Sequence, residues 1–295
     1  KTRKLTEGQE EKLKSLPLLI KNLEKYRDVH FFSLTAMKRM RRMVREKKYG
    51  IVDNLDNKFL QKGLLCEEDG ISLLSDVTGE MHFKNKVRLE NGWLTGECDL
   101  QSKEKKKKIV TDIKISWSSE SYDNTLTLNK SYGWQVGIGY GWLFGSDINR
   151  IAYCLVNTPV ELLRHEMGHT MYKHKPIGMS AQEFELTPAG TIIKTQFFRN
   201  HIVSDDGWIQ HLDGTPEYLE KGYWDYLVNS EILDENFKFR PIPKKERVKI
   251  FQFQRDESKI EYIKKKLIPA RDEINRLMDK NELEIYNLDV DECDV

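Results

Sequence analysis

The sequence predicts an α/β domain in which helices flank a mixed central β-sheet. Residues 150–156 are apolar on both faces, as expected of a strand at the centre of a sheet. A helix is predicted directly after this strand, with Thr158 as its cap and Pro159 at its first position. The segment 82–116, by contrast, alternates between apolar and polar residues, which is typical of strands with one exposed face.

The composition excludes several classes of protein. The 295 residues include 48 basic and 47 acidic side chains, a size that suits one large domain or a core with additional segments. No apolar run approaches the roughly 18 residues that a membrane-spanning helix requires, so no membrane partner is expected. The cysteines are far apart (Cys66, Cys98, Cys154 and Cys293), which favours neither a disulfide framework nor a cysteine zinc site. A cytoplasmic location is therefore expected.

Two helices are predicted in an N-terminal segment, 1–56. The first covers 6–27, where Thr6 and Gln9 form a capping-box pair and Pro17 interrupts the helical pattern. The second covers 33–48 and carries a dense cluster of Arg and Lys residues. A cluster of this kind is most simply a solvated surface.

A third helix is predicted from Asn57 onward and contains an acidic residue on an apolar face. One face of this helix would carry Leu60, Leu64, Glu67, Ile71 and Leu74. An ionised carboxylate in such a stripe is expensive to bury without a cation or hydrogen-bond donors. The alternative is that Glu67 lies at the edge of the core and pairs with a lysine.

Two predicted strands each bring a further acidic residue. The strand 92–100 places Glu97 and Asp99 on one face, and the strand 108–116 places Asp112 and Lys114 on one face, with a turn at 103–108 between them. The oxygens of Glu67, Asp99 and Asp112, with the backbone carbonyl of Ile113, suit Mg²⁺ or Mn²⁺. A metal held there would favour phosphodiester hydrolysis, in which Lys114 would orient the attacking water.

The rest of the chain extends this arrangement. A glycine-rich helix is predicted over 133–144, and its glycines indicate that something packs closely against it. Arg247–Gln254 alternates as a strand, and an apolar stripe from Ile260 to Leu277 predicts a closing helix. After the N-terminal segment, the predicted organisation is a core at 57–175, an insertion without a clear pattern at 176–245, a strand and helix that complete the core at 246–281, and an acidic tail at 282–295.

Several of these motifs together resemble those of the PD-(D/E)XK nucleases. They are Gly-Glu-Cys-Asp at 96–99, Asp-Ile-Lys at 112–114, and Gln135 followed by Tyr140. Within that superfamily the chain is most similar to the YqaJ-type phage recombination exonucleases, relatives of bacteriophage lambda exonuclease and of RecB nuclease domains. The segment 62–68 is similar to their first motif, and the likeness covers 57–160 and, more loosely, 243–280.

This resemblance implies a restriction-endonuclease-like core and a set of roles for named residues. Glu67, Asp99 and Asp112 would bind the metal, Lys114 would be the catalytic lysine, and Gln135 would contact the active site or DNA. The implied activity is Mg²⁺- or Mn²⁺-dependent, 5′-to-3′ exonuclease cleavage of linear double-stranded DNA in phage-type recombination, in the host cytoplasm if the chain is phage-encoded. The implied partners are DNA, a single-strand annealing recombination protein and, in a ring-shaped homotrimer, further copies of the chain. A nuclease would also use basic residues to bind phosphates, and the candidate DNA contacts are Arg39, Arg41, Arg42, Arg45 and Tyr140.

A competing motif keeps other functions open. His165, Glu166 and His169 form a literal HExxH sequence, the signature of zinc peptidases, in which the histidines bind zinc and the glutamate activates water. A third zinc ligand is not evident, since position 175 is Lys175 and His174 is one residue out of place. An endonuclease or nickase on the same fold is also consistent with the motifs, as is a catalytically silent DNA-binding protein. The intact set of acids and lysine argues against the silent protein.

Overall fold

The computed structural model describes residues 13–14, 16–17, 32–52, 56–204 and 241–279. The chain divides into two compact units, one of residues 1–54 with 261–295 and one of residues 55–260. The helix predicted over 6–27 is described only at residues 13–14 and 16–17, which are helical. The rest of that helix, residues 205–240 of the predicted insertion and the acidic tail at 282–295 lie outside the described residues, as does Cys293.

The smaller unit contains the predicted basic helix. Helix α1 (Leu34–Tyr49) begins after Ser33, whose hydroxyl accepts a hydrogen bond from the Ala36 backbone N–H, and it ends at Gly50 in the left-handed conformation. Its buried residues Met40 and Val44 pack against Leu277 of the last helix, α10 (Glu257–Asp279). Both helices were predicted from the sequence, and both are confirmed.

The larger unit is built on a mixed β-sheet. A short ribbon of β1 (Leu89–Glu90) and β2 (Thr95–Gly96) precedes it. The main sheet has four strands in the order β3 (Leu100–Glu104), β4 (Lys107–Ile115), β5 (Ile148–Cys154) and β6 (Val248–Gln254). Strands β4 and β5 are parallel, whereas β3 and β6 run antiparallel to their neighbours. The predicted mixed sheet is therefore confirmed, and β5 is an interior strand as its apolar sequence indicated.

Two helices cover the face of the sheet that Ala152 and Cys154 form. These are α2 (Lys58–Leu65) and α3 (Glu67–Thr78), and Ile71 and Leu74 of α3 lie in the same buried cluster as Cys154. Helix α3 approaches β4 so closely at Gly70 that an added Cβ would lie 2.5 Å from Ile115 Cδ1. This contact fixes the start of α3 next to the carboxyl-terminal half of β4.

The single helix predicted from Asn57 was wrong, because the chain bends at Cys66, which has φ −108° and ψ 10°. Leu60 and Leu64 are 45% and 69% exposed, so they do not share a buried face with Ile71. Glu67 is instead the first residue of α3, where the helix dipole favours a carboxylate and Lys84 pairs with it. The break removes the burial penalty that an acid in the middle of a core-facing stripe would have carried.

Helical segments also cover the opposite face of the sheet. They are α4 (Ser119–Asp123), α5 (Lys130–Tyr132), a π-helix (Gly133–Tyr140) and α6 (Gly141–Phe144). Val136 of the π-helix is buried in one cluster with Ile151 and Tyr153 of β5, whose side chains alternate with those that face α3. An added Cβ on Gly137 would lie 2.2 Å from Phe253 Cε2, which explains the glycine at this position. The predicted helix is present, but its first eight residues form a π-helix.

Three details of the predicted elements need correction or confirmation. The strand predicted over 92–100 is reduced to β2, and Asp99 lies directly before β3 rather than within a strand. The predicted turn at 103–108 is confirmed, with Lys105 and Lys106 at positive φ. Helix α7 (Val160–His174) begins one residue later than predicted. Thr158 does not cap it, since the Thr158 hydroxyl donates to the Trp117 carbonyl.

The described part of the predicted insertion is helical. Helices α8 (Ala181–Glu185) and α9 (Pro188–His201) pack on α7 around Leu163, Met171, Phe184 and Phe198. A 3₁₀ turn (Lys244–Arg247) then leads into β6. Among the described residues, no helix is long and apolar enough to cross a membrane.

Candidate active site

The three acids predicted as metal ligands come together beside strand β4. Glu67 is provided by the start of α3, Asp99 by the residue before β3, and Asp112 by β4 itself. Asp99 Oδ2 accepts a hydrogen bond of 2.6 Å from the Ile113 backbone N–H, which holds this carboxylate against β4. Glu67 and Asp99 line a cleft of about 540 Å³.

Lys114 lies in the same cleft and is held by neighbours on two sides. Its Nζ is 2.5 Å from Asp112 Oδ2 and 5.0 Å from the centre of the Tyr132 ring. Burial opposes the charge of this ammonium group, but the nearby Asp112 carboxylate outweighs it and raises the pKa of Lys114. The lysine is therefore charged and oriented into the cleft at neutral pH.

Electrostatic repulsion among the acids is visible in their pKa values. Burial, followed by the charge of Asp112, raises the pKa of Asp99 to about 7. Burial also raises the pKa of Asp112, although Lys114 acts in the opposite direction. Glu67 contributes to both upward shifts. Three carboxylates paired with two lysines, Lys84 and Lys114, leave an excess of negative charge, which a divalent cation would neutralise.

The carboxylates of Glu67, Asp99 and Asp112 are chemically suited to a hard divalent cation. Their side chains do not surround a common point in this structure. Within the described part of the chain, no group of three or more His, Cys, Asp and Glu side chains is arranged to hold a metal. Lys84 Nζ holds Glu67 Oε2 at 2.8 Å, and Lys114 holds Asp112. Carboxylate oxygens are nevertheless the ligands that Mg²⁺ and Mn²⁺ prefer, and Ile113 lines the same cleft.

The π-helix brings Gln135 and Tyr140 together at the border of the site. In a π-helix the backbone hydrogen bonds join residues five apart, so residues at this spacing lie on one face. The Gln135 side chain donates a hydrogen bond to the Tyr140 hydroxyl, and burial, followed by the charge of Asp112, raises the pKa of Tyr140. An added Cβ on Gly96 would lie 2.9 Å from Tyr140 Cε1, so a glycine lets the ring approach. Both residues thus lie near the acids.

Lys62 is a site-supporting residue that the sequence motifs do not single out. It is 0% exposed, and its Nζ donates to the carbonyls of Ser116 at 2.7 Å, Trp117 at 3.0 Å and Val156 at 3.0 Å. These bonds tie α2 to the chain just beyond β4 and β5. The signal available in the sequence was its place in the first-motif segment 62–68.

The basic residues proposed as DNA contacts lie in the smaller unit. Arg41, Arg42 and Arg45 line a cavity of about 370 Å³ on α1, whereas Arg39 is exposed. Arg42 Nε also pairs with Glu46 Oε1 at 2.9 Å within the helix. Their role in binding DNA stays a prediction.

The HExxH residues lie on α7, where the glutamate has another partner. The rings of His165 and His169 are 4.9 Å apart, and both residues are exposed. Glu166 forms an ion pair with Lys58 at the start of α2. Burial opposes ionisation of Glu166, but the hydrogen bond from Lys58 lowers its pKa overall. The glutamate is therefore held by a lysine, and no third zinc ligand lies nearby in the described residues.

Comparison with solved structures identifies the fold. The chain is similar to the crystal structure of a phage-related exonuclease from Haemophilus somnus 129PT, with 22% identity and a TM-score of 0.53 over 86% of this chain and 87% of that one. It also aligns with an alkaline exonuclease, LHK-Exo, from Laribacter hongkongensis, with 9% identity and a TM-score of 0.45 over 84% of each chain. No family model and no curated protein matches the chain.

The mixed four-stranded sheet with helices on both faces therefore defines an α/β protein, as the sequence predicted. The particular version of this fold is the one seen in the crystal structure of the phage-related exonuclease. The resemblance that the motifs indicated is thus confirmed at the level of the fold. The motif residues that carried this resemblance fall at α2 and α3, between β2 and β3, in β4 and in the π-helix.

Proposed function

We propose that this protein is a metal-dependent DNA nuclease, and specifically a 5′-to-3′ exonuclease on linear double-stranded DNA. The observation that carries the proposal is the convergence of Glu67, Asp99, Asp112 and Lys114 at one cleft. The similar Haemophilus somnus protein is a phage-related exonuclease, which supports the same activity for this chain. Phage-type recombination, an annealing-protein partner and a ring-shaped trimer are further parts of the proposal that rest on family likeness.

The chain's own residues account for most of the proposed reaction. Glu67, Asp99, Asp112 and the Ile113 carbonyl would hold Mg²⁺ or Mn²⁺, which supplies Lewis-acid activation of the phosphodiester and of water. Lys114, held in place by Asp112 and Tyr132, donates a hydrogen bond to the attacking water or to the phosphate oxygen that gains charge.

The bond changes define the products. The water oxygen bonds to phosphorus as the bond between phosphorus and the 3′ oxygen breaks, and the 3′ oxygen takes up a proton. The products are a 5′ phosphate and a 3′ hydroxyl. Gln135, which lies beside Tyr140 at the border of the cleft, would donate a hydrogen bond to the substrate.

The test is hydrolysis of linear duplex DNA labelled at either the 5′ or the 3′ end, with MgCl₂ and then with EDTA. We expect the wild type to release the 5′ label first with Mg²⁺ and to be inactive in EDTA. Asp112→Asn and Lys114→Gln should each lose about 10²-fold or more in rate, since they remove a metal ligand and a charge-stabilising donor. His165→Ala is the matched control on the exposed part of α7 and should keep full activity.

Covalently closed circular duplex distinguishes an exonuclease from the competing functions. An exonuclease leaves it intact, whereas an endonuclease or nickase converts it to linear or relaxed DNA. Binding of DNA without cleavage under every condition would identify a silent binding protein. If His165→Ala removed activity and Asp112→Asn did not, the carboxylate cluster would be structural and the HExxH residues would carry the activity instead.

A further inference from the structure

A basic segment, residues 84–88, is fixed to the strand region that provides Asp99. The Asn85 backbone N–H donates to the Asp99 carbonyl at 2.6 Å, and Asn85 Nδ2 donates to the Cys98 carbonyl at 2.9 Å. Gln101 Nε2 donates to Asn85 Oδ1 at 2.9 Å. The main chain of the segment is therefore anchored beside the site, while its cationic side chains extend from it.

Two of these cations contact acids of the candidate active site. Lys84 Nζ is 2.8 Å from Glu67 Oε2, and Arg88 Nε is 3.8 Å from Glu97 Oε2. The Lys84 side chain is 40% exposed, whereas that of Glu67 is only 17% exposed. The more exposed lysine side chain thus pairs with the more buried carboxylate.

The position of the Lys84 ammonium conflicts with that of a metal ion. It occupies a Glu67 oxygen that the proposed function assigns to Mg²⁺ or Mn²⁺, and it also lies within the electrostatic influence of Asp99. Two cations at one carboxylate repel each other. A long lysine on an anchored backbone can leave this position without moving the segment, because its stem has several rotatable bonds.

We propose that Lys84 is a positioning residue that holds Glu67 in the metal-free protein and is displaced when a divalent ion binds. This inference rests on the proposed function, because it takes Glu67 as a metal ligand. Lys84 neutralises and orients the carboxylate, and it competes with the metal for the same oxygen. Its removal therefore strengthens metal binding.

The test is a calorimetric titration of the full chain with MnCl₂ at low ionic strength and without DNA. Lys84→Gln removes the competing charge. Lys86→Gln is the matched control, since it makes the same change in net charge on an exposed residue of the same segment that has no ion pair among the described residues. We expect Lys84→Gln to bind Mn²⁺ about two- to fivefold more tightly than Lys86→Gln, the range that the loss of one partly exposed ion pair allows. Lys84→Arg should bind Mn²⁺ as the wild type does.

Two further measurements make the result specific. Asp112→Asn should abolish the binding isotherm, which shows that the titration reports on this site. The difference in Mn²⁺ affinity between Lys84→Gln and Lys86→Gln should become smaller at about 0.5 M salt, because screening weakens the contact between Lys84 and Glu67. Equal Mn²⁺ affinity of Lys84→Gln and Lys86→Gln would overturn the inference, and so would weaker binding by Lys84→Gln.

The two proposals fail in different ways. If DNA is cleaved with Mg²⁺ but the two glutamine variants bind Mn²⁺ equally, only the inference about Lys84 is overturned. If the wild type binds no Mn²⁺ and cleaves no DNA, both the proposed function and the inference about Lys84 are overturned.

Discussion

Replacement of the buried Lys62 by methionine gives a quantitative test of the larger unit. Methionine keeps the unbranched shape of the side chain and removes the charge. In the wild type, three backbone carbonyls accept hydrogen bonds from the ammonium group, and no carboxylate among the described residues contacts it. Burial lowers the pKa of Lys62 from 10.5 to about 7. The charged form of Lys62 is therefore disfavoured in the folded protein.

The size of the effect follows from this shift. Between pH 7 and pH 10.5 the unfolded chain holds a proton that the folded protein has released, so the free energy of unfolding rises with pH in this window. For these two pKa values, the increase from pH 7 to about pH 9 is about 2 kcal/mol. The variant lacks the group and should lack this increase.

The assay is urea unfolding of the wild type and Lys62→Met, followed by far-ultraviolet circular dichroism at about pH 7, 8 and 9 in EDTA. The difference between the two proteins cancels the titrating groups that Lys62 does not influence, including Asp99. The variant leaves the carbonyls of Ser116 and Val156 without their lysine donor, which adds a destabilisation of about 1–3 kcal/mol each that does not change with pH. From about pH 7 to about pH 9, the free energy of unfolding of the wild type should rise by about 2 kcal/mol relative to that of Lys62→Met. A constant difference would show that the carbonyls keep Lys62 charged and would refute the reasoning.

The remaining predictions concern the neighbourhood of the site. Gly96→Ala should lower the free energy of unfolding by about 1–3 kcal/mol, since its Cβ would meet the Tyr140 ring at 2.9 Å. Urea unfolding measures this change, and an unchanged midpoint would contradict the close contact. Glu166→Gln should lower thermal stability by no more than about 1 kcal/mol through the loss of its pair with Lys58. It should still cleave DNA, and a loss of cleavage with unchanged stability would revive the peptidase motif as a functional site.

The elements that could be predicted from the sequence are those encoded by local periodicity. Strand β5 is apolar on both faces because it lies between two other strands and under helices on both sides, and β6 and α10 likewise follow their own patterns. The proximity of Asp99 and Asp112 could be predicted because a short hairpin joins β3 and β4, whereas their role as metal ligands stays a prediction. Their surroundings could not, because Lys62 finds its partners 54 to 94 residues away in the chain.

The spacing of Gln135 and Tyr140 shows how backbone geometry decides which side chains of a helix share a face. In an α-helix, residues five apart diverge around the axis, so this spacing would separate the two side chains. The π-helix over Gly133–Tyr140 returns them to one face, and the contact between Gln135 and Tyr140 is kept. Sequence patterns based on the α-helical period have no means of detecting this change.

The two competing motifs are connected in the folded protein. Glu166 of the HExxH sequence holds Lys58 at the start of α2, and Lys62, one turn further along α2, is anchored beyond the ends of β4 and β5. Helix α3 follows after the bend at Cys66 and presents Glu67 to the cleft. The glutamate that suggested a zinc peptidase thus helps to fix the helix that precedes a predicted nuclease ligand. The ion pair between α7 and α2 therefore gives this glutamate a structural role.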